Sequence, residues 1–418
     1  MKTQAVRLHG AMDVRYGEFD LPEIKDNEVL LHVVCDTVCM STYKAVKQGS
    51  QHKRVPNDID VNPIILGHEM CGEIAQVGKE LTDKWSVGQK VVIHPALKLE
   101  NGFDPGYSYR FIGGNSRYAV VPGFVLERGC MLPYNSDGFF SGSLVESLGC
   151  VLRGYKAMYH TDLATYKRHD GLKKGGKVAV LAGAGPMGIG AVELAIGYYG
   201  AKLVVVTDIN GKRLKEASER CSPDEAKARG AELIYLDTSG IKDTASELIK
   251  LSDGGFDDVI VMAPVPALFT MAEKICREDG CINMFAGPVQ HDLPAEINIY
   301  RIHYDGIHTV GTTGSIPQDA KDVIDLIEKG SINTGTLISH ILGLKALPHT
   351  IFDMSNQTGA KKVCYNDIDI PLVAIKDFAE LGKTDPLYKE LDEIVKRHGG
   401  LWCAEAEKYL LANAPELK

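Results

Sequence analysis

Three short segments of the chain carry residue types that bind metal ions. They contain Cys39 in "VCMSTYK", His68 and Glu69 in "PIILGHEMCGEI", and Glu146 in "LVESLGC". A catalytic zinc needs about three protein ligands of nitrogen, sulfur or oxygen type and one open position. The spacing of these residues does not by itself establish such a site. Buried cysteines are common, and a Gly-His-Glu sequence can simply close a strand in a turn, so both interpretations stay open here.

A fourth segment has the pattern of a dinucleotide-binding turn. The hexamer "GAGPMG", from Gly183 to Gly188, is a G-x-G-x-x-G motif between a strand-like run and a helix-like run. The first glycine allows the tight turn, the second lets the backbone approach a pyrophosphate, and the third permits close packing of helix on strand. The helix N-terminus then stabilises the phosphate charge. The motif in this context predicts a bound dinucleotide.

The acidic residue after the next strand indicates which dinucleotide is bound. Asp208 would accept hydrogen bonds from the adenosine ribose and would repel a 2′-phosphate, which favours NAD over NADP. NADP stays possible, because Lys212 and Arg213 could hold that phosphate or merely solvate a helix start. The predicted cofactor-binding residues are Gly183, Gly185, Pro186, Met187, Gly188, Asp208 and Arg213.

The elements that must position these residues fall into regions of different texture. Residues 1–155 contain short β-branched runs separated by Gly, Pro and Asn, which predicts a β-rich domain. Residues 156–313 alternate buried strands with helices, which is the pattern of a doubly wound parallel sheet of Rossmann type. Residues 314–418 are helix-like in parts, including a charged tail after Asp377. The predicted fold class is α/β with two domains.

Composition excludes several classes of protein. The 418 residues are 44% hydrophobic and 24% charged, as in a globular chain, and the net charge of −9 argues against a nucleic-acid partner. The N-terminus has no apolar region typical of a secretion signal, and the most apolar stretch, 177–201, is interrupted by glycines, a proline and a glutamate. We therefore expect a cytoplasmic protein with no membrane partner, whose ten cysteines are reduced thiols or metal ligands.

The order of these motifs resembles the zinc-dependent medium-chain dehydrogenase/reductase family, of the polyol and sorbitol dehydrogenase kind. The resemblance implies a GroES-like catalytic domain to which residues 314–418 return, one catalytic zinc, and a homodimer or homotetramer. It implies that Cys39 and His68 are zinc ligands, and that the third ligand is Glu146, with Glu69 close by and able to exchange with it. It also implies that Ser41 relays the hydroxyl proton, although a serine at this position could simply cap a turn.

Two departures from the family pattern carry their own expectations. Thr42 stands where relatives have an aspartate that orients the ligand histidine, and such partners commonly contribute tenfold or more to metal affinity. The stretch "ALKLENGFDPGYSYRFIGGNSRYAV", residues 96–120, contains no cysteine, whereas many relatives hold a structural zinc there with four. We expect weaker zinc binding and no structural zinc.

The resemblance also indicates a class of substrate. A glutamate ligand favours polyols and ketoses, and the overall layout resembles sugar-phosphate reductases of the L-sorbose-1-phosphate type. Basic residues that could bind a substrate phosphate, or could form a solvated surface, are Lys44, Lys47, Lys53, Arg54, Arg110 and Arg117. The alternatives are a zinc-free quinone or enoyl reductase of the same superfamily, and a redox sensor that binds NAD without turnover.

Overall fold

A computed structural model describes residues 1–162, 164–356 and 359–418, and these form two compact units. The first unit comprises Met1–Glu146, Ile316–Glu328 and Thr334–Lys418, and the second comprises Ser147–Ser315 and Lys329–Asn333. The boundaries expected from sequence, after residues 155 and 313, differ from these divisions by nine and two residues. Glycine and proline signals mark loops, whereas the first division lies inside a helix and carries no such signal.

The first part of the chain is rich in strands. Its strands are β1 (Lys2–Gly10), β2 (Asp13–Asp20), β3 (Val29–Thr37), β4 (Ile64–Ile65), β5 (Met70–Val77), β6 (Lys90–Ile93), β7 (Tyr118–Val121) and β8 (Met131–Pro133). Its helices are α1 (Met40–Gln48), α2 (Gly123–Glu127) and α3 (Phe139–Ser143), with 3₁₀ turns at Gly49–Gln51 and Lys79–Leu81. Strand β3 is buried along almost its whole length, including the polar residues Asp36 and Thr37 at its end.

The second unit is a parallel sheet with intervening helices, joined to a short hairpin. Its strands are β9 (Tyr159–Thr161), β10 (Arg168–Asp170), β11 (Lys177–Leu181), β12 (Leu203–Asp208), β13 (Glu232–Asp237), β14 (Phe256–Val261), β15 (Cys276–Met284) and β16 (His308–Gly311). Helix α4 (Val145–Ala157) leads into it, followed by α5 (Pro186–Gly197), α6 (Gly211–Arg220), α7 (Pro223–Ala228), α8 (Thr244–Leu251), α9 (Pro266–Ile275) and α10 (Ile299–Tyr304). The order β13-β12-β11-β14-β15-β16 reverses at β11, where doubly wound sheets bind their ligands.

The last part of the chain completes the first unit. It contains α11 (Pro317–Glu328), β17 (Ile338–Gly343), α12 (Leu347–Phe352), β18 (Lys361–Tyr365), β19 (Val373–Ala374), α13 (Phe378–Leu381), α14 (Pro386–Arg397) and α15 (Ala404–Asn413), with 3₁₀ turns at Thr334–Leu337, Leu344–Ala346 and Ile375–Asp377. Strand β18 pairs with both β17 and β3, so the largest sheet of this unit joins residues from both ends of the sequence. Its order is β19-β17-β18-β3-β5-β6-β8, with β7 also paired to β3.

The predicted fold class is confirmed, and so is the helical character of the tail after Asp377. The apolar stretch 177–201 forms β11, α5 and the start of the next connection, and none of the helices in the described residues has the length and apolar character to cross a membrane. All ten cysteines lie within the described ranges and are free thiols.

Candidate functional site

Three potential metal ligands converge in the first unit. A sulfur of Cys39, a ring nitrogen of His68 and a carboxylate oxygen of Glu69 all lie within 4.8 Å of one another. Cys39 immediately precedes helix α1, and the other two residues lie in the turn between β4 and β5. A thiol, an imidazole and a carboxylate together form a donor set that zinc accepts. These three residues, called the metal group below, therefore fit a zinc ion by the chemistry of their donor atoms.

The turn that presents His68 depends on a glycine. Gly67 has φ = +90°, and a Cβ atom on it would lie 2.7 Å from side-chain atoms of Asp36 and Asn115. The buried Asp36 carboxylate accepts hydrogen bonds from the Glu69 backbone N at 2.8 Å and from Asn115 Nδ2 at 2.9 Å. The positive φ and the close contacts thus require glycine at position 67. The turn directs the side chains of His68 and Glu69 into the interior.

The imidazole of His68 is buried and held by hydroxyl groups. Thr42 Oγ1 lies 3.3 Å from Nδ1, while Ser41 Oγ and Tyr107 Oη lie 3.2 Å and 3.1 Å from Nε2. Burial lowers the pKa of His68 to about 4, so the ring is neutral near pH 7. If Nδ1 carries the proton and donates a hydrogen bond to Thr42 Oγ1, Nε2 has a lone pair. That lone pair can accept a hydrogen bond from a hydroxyl group or bind a metal ion.

Ser41 connects the thiol to a tyrosine that sequence reasoning missed. Its hydroxyl lies 3.0 Å from Cys39 Sγ and accepts a hydrogen bond from Tyr107 Oη at 2.8 Å. Tyr107 belongs to the cysteine-free segment 96–120, where no motif marks it. The structure thus brings Ser41 to the metal group, in a short chain of hydroxyls rather than in a turn cap.

Glu69 is paired with a buried lysine, which the sequence also did not indicate. Lys361 Nζ contacts both carboxylate oxygens, and Thr37 Oγ1 donates to one of them. Burial opposes ionisation of Glu69, but the ammonium outweighs it and lowers the pKa of the carboxyl. Burial likewise opposes the charge of Lys361, yet Cys39 and Glu69 together raise its pKa. Glu69 is therefore ionised and neutralised by a fixed cation.

Glu146, the residue expected as the third ligand, lies in the first turn of α4 and is half-buried. It is not a member of the group whose atoms lie within 4.8 Å of one another. Its charge nevertheless acts on its surroundings, because it raises the pKa values of Cys39 and Lys361 along with larger contributions from other groups. In this structure Glu69, rather than Glu146, completes the set with Cys39 and His68.

The glycine-rich turn in the second unit joins β11 to α5. A Cβ atom on Gly183 would lie 2.4 Å from a Val180 methyl, and one on Gly188 would lie 1.9 Å from the Gly183 carbonyl oxygen. A Cβ atom on Gly185 would meet nothing within 4 Å, so this glycine is not required by packing within the chain. That is the behaviour expected of a glycine whose missing side chain makes room for a ligand.

The remaining predicted cofactor residues lie around this turn and the next one. Pro186 and Met187 form the first turn of α5, with Gly185 as its N-cap. Asp208 ends β12, next to β11 in the sheet, and its Oδ1 accepts a hydrogen bond from the Asn210 backbone at 3.0 Å. Arg213 lies in the first turn of α6 and is exposed. The turn thus has an open phosphate position and a carboxylate at the adjacent strand end.

Comparison with known proteins was consistent with both halves of this description. A family model described as an alcohol dehydrogenase GroES-like domain matches residues 25–134, and one described as a zinc-binding dehydrogenase matches residues 186–329. The structure resembles 2R,3R-butanediol dehydrogenase from Bacillus subtilis with a TM-score of 0.72 and 21% identity, covering 87% of this chain and 100% of that one. That likeness concerns the fold.

Two curated relatives are similar over almost the whole chain. The mannitol-1-phosphate 5-dehydrogenase of Aliivibrio fischeri is 41% identical, over 98% of this chain and 97% of its own. The L-sorbose 1-phosphate reductase of Klebsiella pneumoniae is 40% identical, over 99% of this chain and 98% of its own. Identity at this level and coverage establishes the family. The chain belongs to the zinc-dependent medium-chain dehydrogenase/reductase family, as an NAD(P)-dependent oxidoreductase that acts on CH–OH groups.

Proposed function

We propose that the protein interconverts a phosphorylated polyol and the corresponding ketose phosphate, using NAD(H) and one zinc ion. The observation that carries the proposal is the group formed by Cys39, His68 and Glu69, which brings a thiol, an imidazole and a carboxylate within 4.8 Å of one another. The choice of substrate rests on the two relatives whose names specify a sugar or polyol phosphate.

In this proposal Cys39 and His68 hold the zinc, and either Glu69 or Glu146 is the third ligand. When bound, zinc polarises a carbonyl oxygen or lowers the pKa of a hydroxyl group. Thr42 keeps the His68 ring in the orientation that offers Nε2. Lys361 holds Glu69 as a neutralised carboxylate, which can approach the metal only by giving up part of that pairing.

The hydroxyl groups beside the metal group can hold and move the substrate proton. Ser41 Oγ lies within hydrogen-bond distance of both Cys39 Sγ and Tyr107 Oη, and Tyr107 Oη also reaches His68. A hydroxyl can accept one proton while it donates another. Ser41 is therefore the group that we propose as first proton acceptor from the substrate. Tyr107 is the next hydroxyl, and because it donates to Ser41 in the structure, both hydroxyl groups must rotate before it can receive that proton.

The second unit supplies the cofactor site in this proposal. The pyrophosphate lies against Gly185 and the N-terminus of α5, where the backbone leaves room for it. Asp208 accepts hydrogen bonds from the adenosine ribose, which favours NAD. A nicotinamide dinucleotide, when bound, exchanges a hydride with the substrate carbon. Arg213, exposed in the first turn of α6, is the residue that a 2′-phosphate would contact if NADP were used instead.

The test is metal content and turnover of matched variants. Protein purified without added zinc is analysed for metal, and oxidation of mannitol 1-phosphate with NAD and reduction of L-sorbose 1-phosphate with NADH are followed by absorbance. We expect about one zinc per chain in the wild type, lost in Cys39→Ala and His68→Ala together with activity. Cys403→Ser, a thiol substitution in the C-terminal extension, is the control and should retain both.

Two more variants distinguish the third ligand. Glu69→Gln and Glu146→Gln each remove one carboxylate charge, and the true ligand is the one whose loss releases zinc to a chelator most readily. Failure of the wild type to bind zinc when zinc is offered would contradict the metal site, and would favour a zinc-free reductase. Turnover of free polyols but not of their phosphates would contradict the substrate class.

A further inference from the structure

A positively charged cluster lies beside the metal group in a chain whose net charge is −9. It consists of Lys44, His52, Lys53 and Arg54. Lys53 and Arg54 follow His52 directly in the chain, and the charges of Arg54, Lys53 and Lys44 add to burial in lowering the pKa of His52. Mutual repulsion between these cations costs free energy, and an anion bound among them would offset that cost.

Arg54 is the fixed member of the cluster. Its guanidinium carbon lies 5.1 Å from the centroid of the Tyr107 ring, and its Nε lies 3.2 Å from Asp104 Oδ2. Its backbone carbonyl accepts a hydrogen bond from Ser108 at 2.6 Å. The Asp104 side chain is almost fully buried, whereas 34% of the Arg54 side chain is exposed. Arg54 is thus held on one side and open to solvent on the other.

Tyr107 links this cation to the metal group. Its ring contacts Arg54 and stacks on His52 with centroids 6.0 Å apart and an interplanar angle of 10°. Its hydroxyl lies 3.1 Å from His68 Nε2. The Tyr107 side chain therefore contacts both Arg54 and His68.

The other basic residues considered for a phosphate are used differently. Arg117 pairs with Asp367 at 2.8 Å, and Arg110 lies over the Phe111 ring at 5.2 Å. Within the residues that the structure describes, Lys44 and Lys53 form no ion pair with an acidic side chain, and both are exposed. The cluster around Arg54 thus combines one anchored guanidinium with two exposed ammonium groups.

We propose that Arg54, with Lys44 and Lys53, binds the phosphate of the substrate while its reacting carbon lies at the Cys39–His68–Glu69 group. This inference rests on the proposed function and assigns its specificity for phosphate esters to these three residues, with Arg54 as the anchored one. A guanidinium suits a phosphate because its planar donors engage two oxygens at once. Asp104 keeps the guanidinium in place without covering it, and Tyr107 separates the phosphate from the reacting end.

The experiment compares wild type with Arg54→Ala, Arg54→Lys and Lys53→Ala, with Lys47→Ala as a matched control. Lys47 is an exposed lysine of α1 whose charge does not contribute to the His52 shift. Binding of mannitol 1-phosphate to each zinc-loaded protein is measured by calorimetry without nicotinamide cofactor. The ratio of kcat/KM for mannitol 1-phosphate to that for mannitol is measured separately, and thermal unfolding checks that each variant is folded.

We expect Arg54→Ala to weaken mannitol 1-phosphate binding by roughly 10- to 100-fold, the value of one charge-assisted contact, and to lower the kcat/KM ratio by a similar factor. Arg54→Lys should lose less because it keeps the charge, Lys53→Ala should lose a few-fold, and Lys47→Ala should match wild type. Should Arg54→Ala fail to fold, Arg54→Lys and Lys53→Ala carry the same comparison. Wild-type affinity in the folded Arg54 and Lys53 variants would overturn the proposal.

Failure of this inference differs from failure of the proposed function. If the wild type turns over phosphate esters and the Arg54 variants retain its KM, the phosphate site is wrong and the function stands. If the wild type binds mannitol 1-phosphate in an Arg54-dependent way but turns over neither phosphate ester, the phosphate site stands and the function is wrong.

Discussion

At the scale of single residues, the site holds its histidine with hydroxyl groups, where a carboxylate is more usual, and balances its own carboxylate with an ammonium. His68 is oriented by Thr42, a neutral partner, and Glu69 is balanced by Lys361. Each of these contacts can be removed by one substitution that nearly preserves the volume of the side chain. The residue scale therefore gives the most direct tests of how the metal group is held.

Thr42→Val should weaken zinc binding by about tenfold, because valine keeps the shape of threonine but cannot hydrogen-bond to His68 Nδ1. The dissociation constant is measured by competition with a chromogenic chelator. Thr82→Val, at an exposed threonine whose hydroxyl donates to the Lys79 carbonyl and not to the metal group, is the control. An unchanged constant would mean that the 3.3 Å contact does not orient the ring.

Lys361→Met should lower the free energy of unfolding by about 3–5 kcal/mol, because it leaves the buried Glu69 carboxylate without its counter-charge. Urea unfolding of the metal-free proteins measures the loss. The double variant Lys361→Met, Glu69→Gln should recover most of it, since no uncompensated charge then remains. If the double variant is as unstable as the single one, the loss comes from packing and the ion pair is not its cause.

The sequence motifs identified part of the site. They did not identify residues that lie outside the motifs and reach the site only through the fold. Cys39, His68 and Glu69 were predicted as members of the site, and the structure brings them together. Lys361 lies 292 residues beyond Glu69, in "AKKVCYN", where a lysine is normally read as exposed. Tyr107 likewise lies in the segment 96–120, whose one noted feature in the sequence is that it contains no cysteine. Contacts of this kind depend on tertiary packing, which no local pattern encodes.

At the scale of elements, the second and third glycines of the dinucleotide motif have different physical roles. Gly188→Ala should destabilise the second unit, because its Cβ would lie 1.9 Å from the Gly183 carbonyl oxygen. Gly185→Ala should leave the melting temperature unchanged but weaken NAD binding at least tenfold, because its Cβ enters only the space that we assign to the pyrophosphate. Thermal unfolding and NADH fluorescence titration separate the two effects. Equal NADH affinity of wild type and Gly185→Ala would contradict the cofactor assignment.

Helix α15 of the C-terminal extension is anchored by a buried carboxyl. Glu407 accepts hydrogen bonds from the backbone N of Phe139 and Phe140, at 2.6 and 2.8 Å, and from Tyr365 Oη at 2.8 Å. Trp402 donates to the same Tyr365 oxygen. The anchor thus joins the extension to α3 and to β18, the strand that carries Lys361. The extension is therefore hydrogen-bonded, through Tyr365, to the strand that carries Lys361.

This anchor should make stability depend on pH. Burial raises the pKa of Glu407 from 4.5 to about 7, against the lowering effect of its hydrogen bonds and of Lys90. The folded state therefore binds the proton more tightly, so the stabilisation is complete below pH 4.5 and is lost as the pH rises through 7. The difference in unfolding free energy between wild type and Glu407→Gln should fall by about 1.4 kcal/mol per pH unit across this window. A constant difference from pH 4.5 to 7.5 would contradict the prediction.

Most of the elements could be predicted from the sequence, and the exceptions have local causes. The alternation of β11, α5 and β12 follows from apolar runs punctuated by glycine, and the helical tail follows from its periodicity. The pairing of β18 with β3 could not be predicted, because the register of distant strands depends on which faces become buried together. Composition gave the class of each segment but not its neighbours.

At the scale of the whole molecule, the first unit is assembled from both ends of the sequence, and the second is nearly continuous between them. Local contacts form sooner than distant ones because less chain entropy opposes them. The second unit can therefore complete its parallel sheet as a continuous segment, apart from residues 329–333. The first unit has to wait for strands β17 and β18.

This discontinuity matters while the protein is being synthesised. A ribosome that adds about 5–20 residues per second needs roughly 15–60 s to travel from Glu69 to Lys361, which are 292 residues apart. Throughout that interval the nascent chain carries a carboxylate destined for burial without its cation, and an edge of β3 that β18 will later cover. Unpaired strand edges promote aggregation. A chain truncated before residue 361 would therefore be bound by chaperones and degraded by proteases. It would not fold into an enzyme of reduced activity.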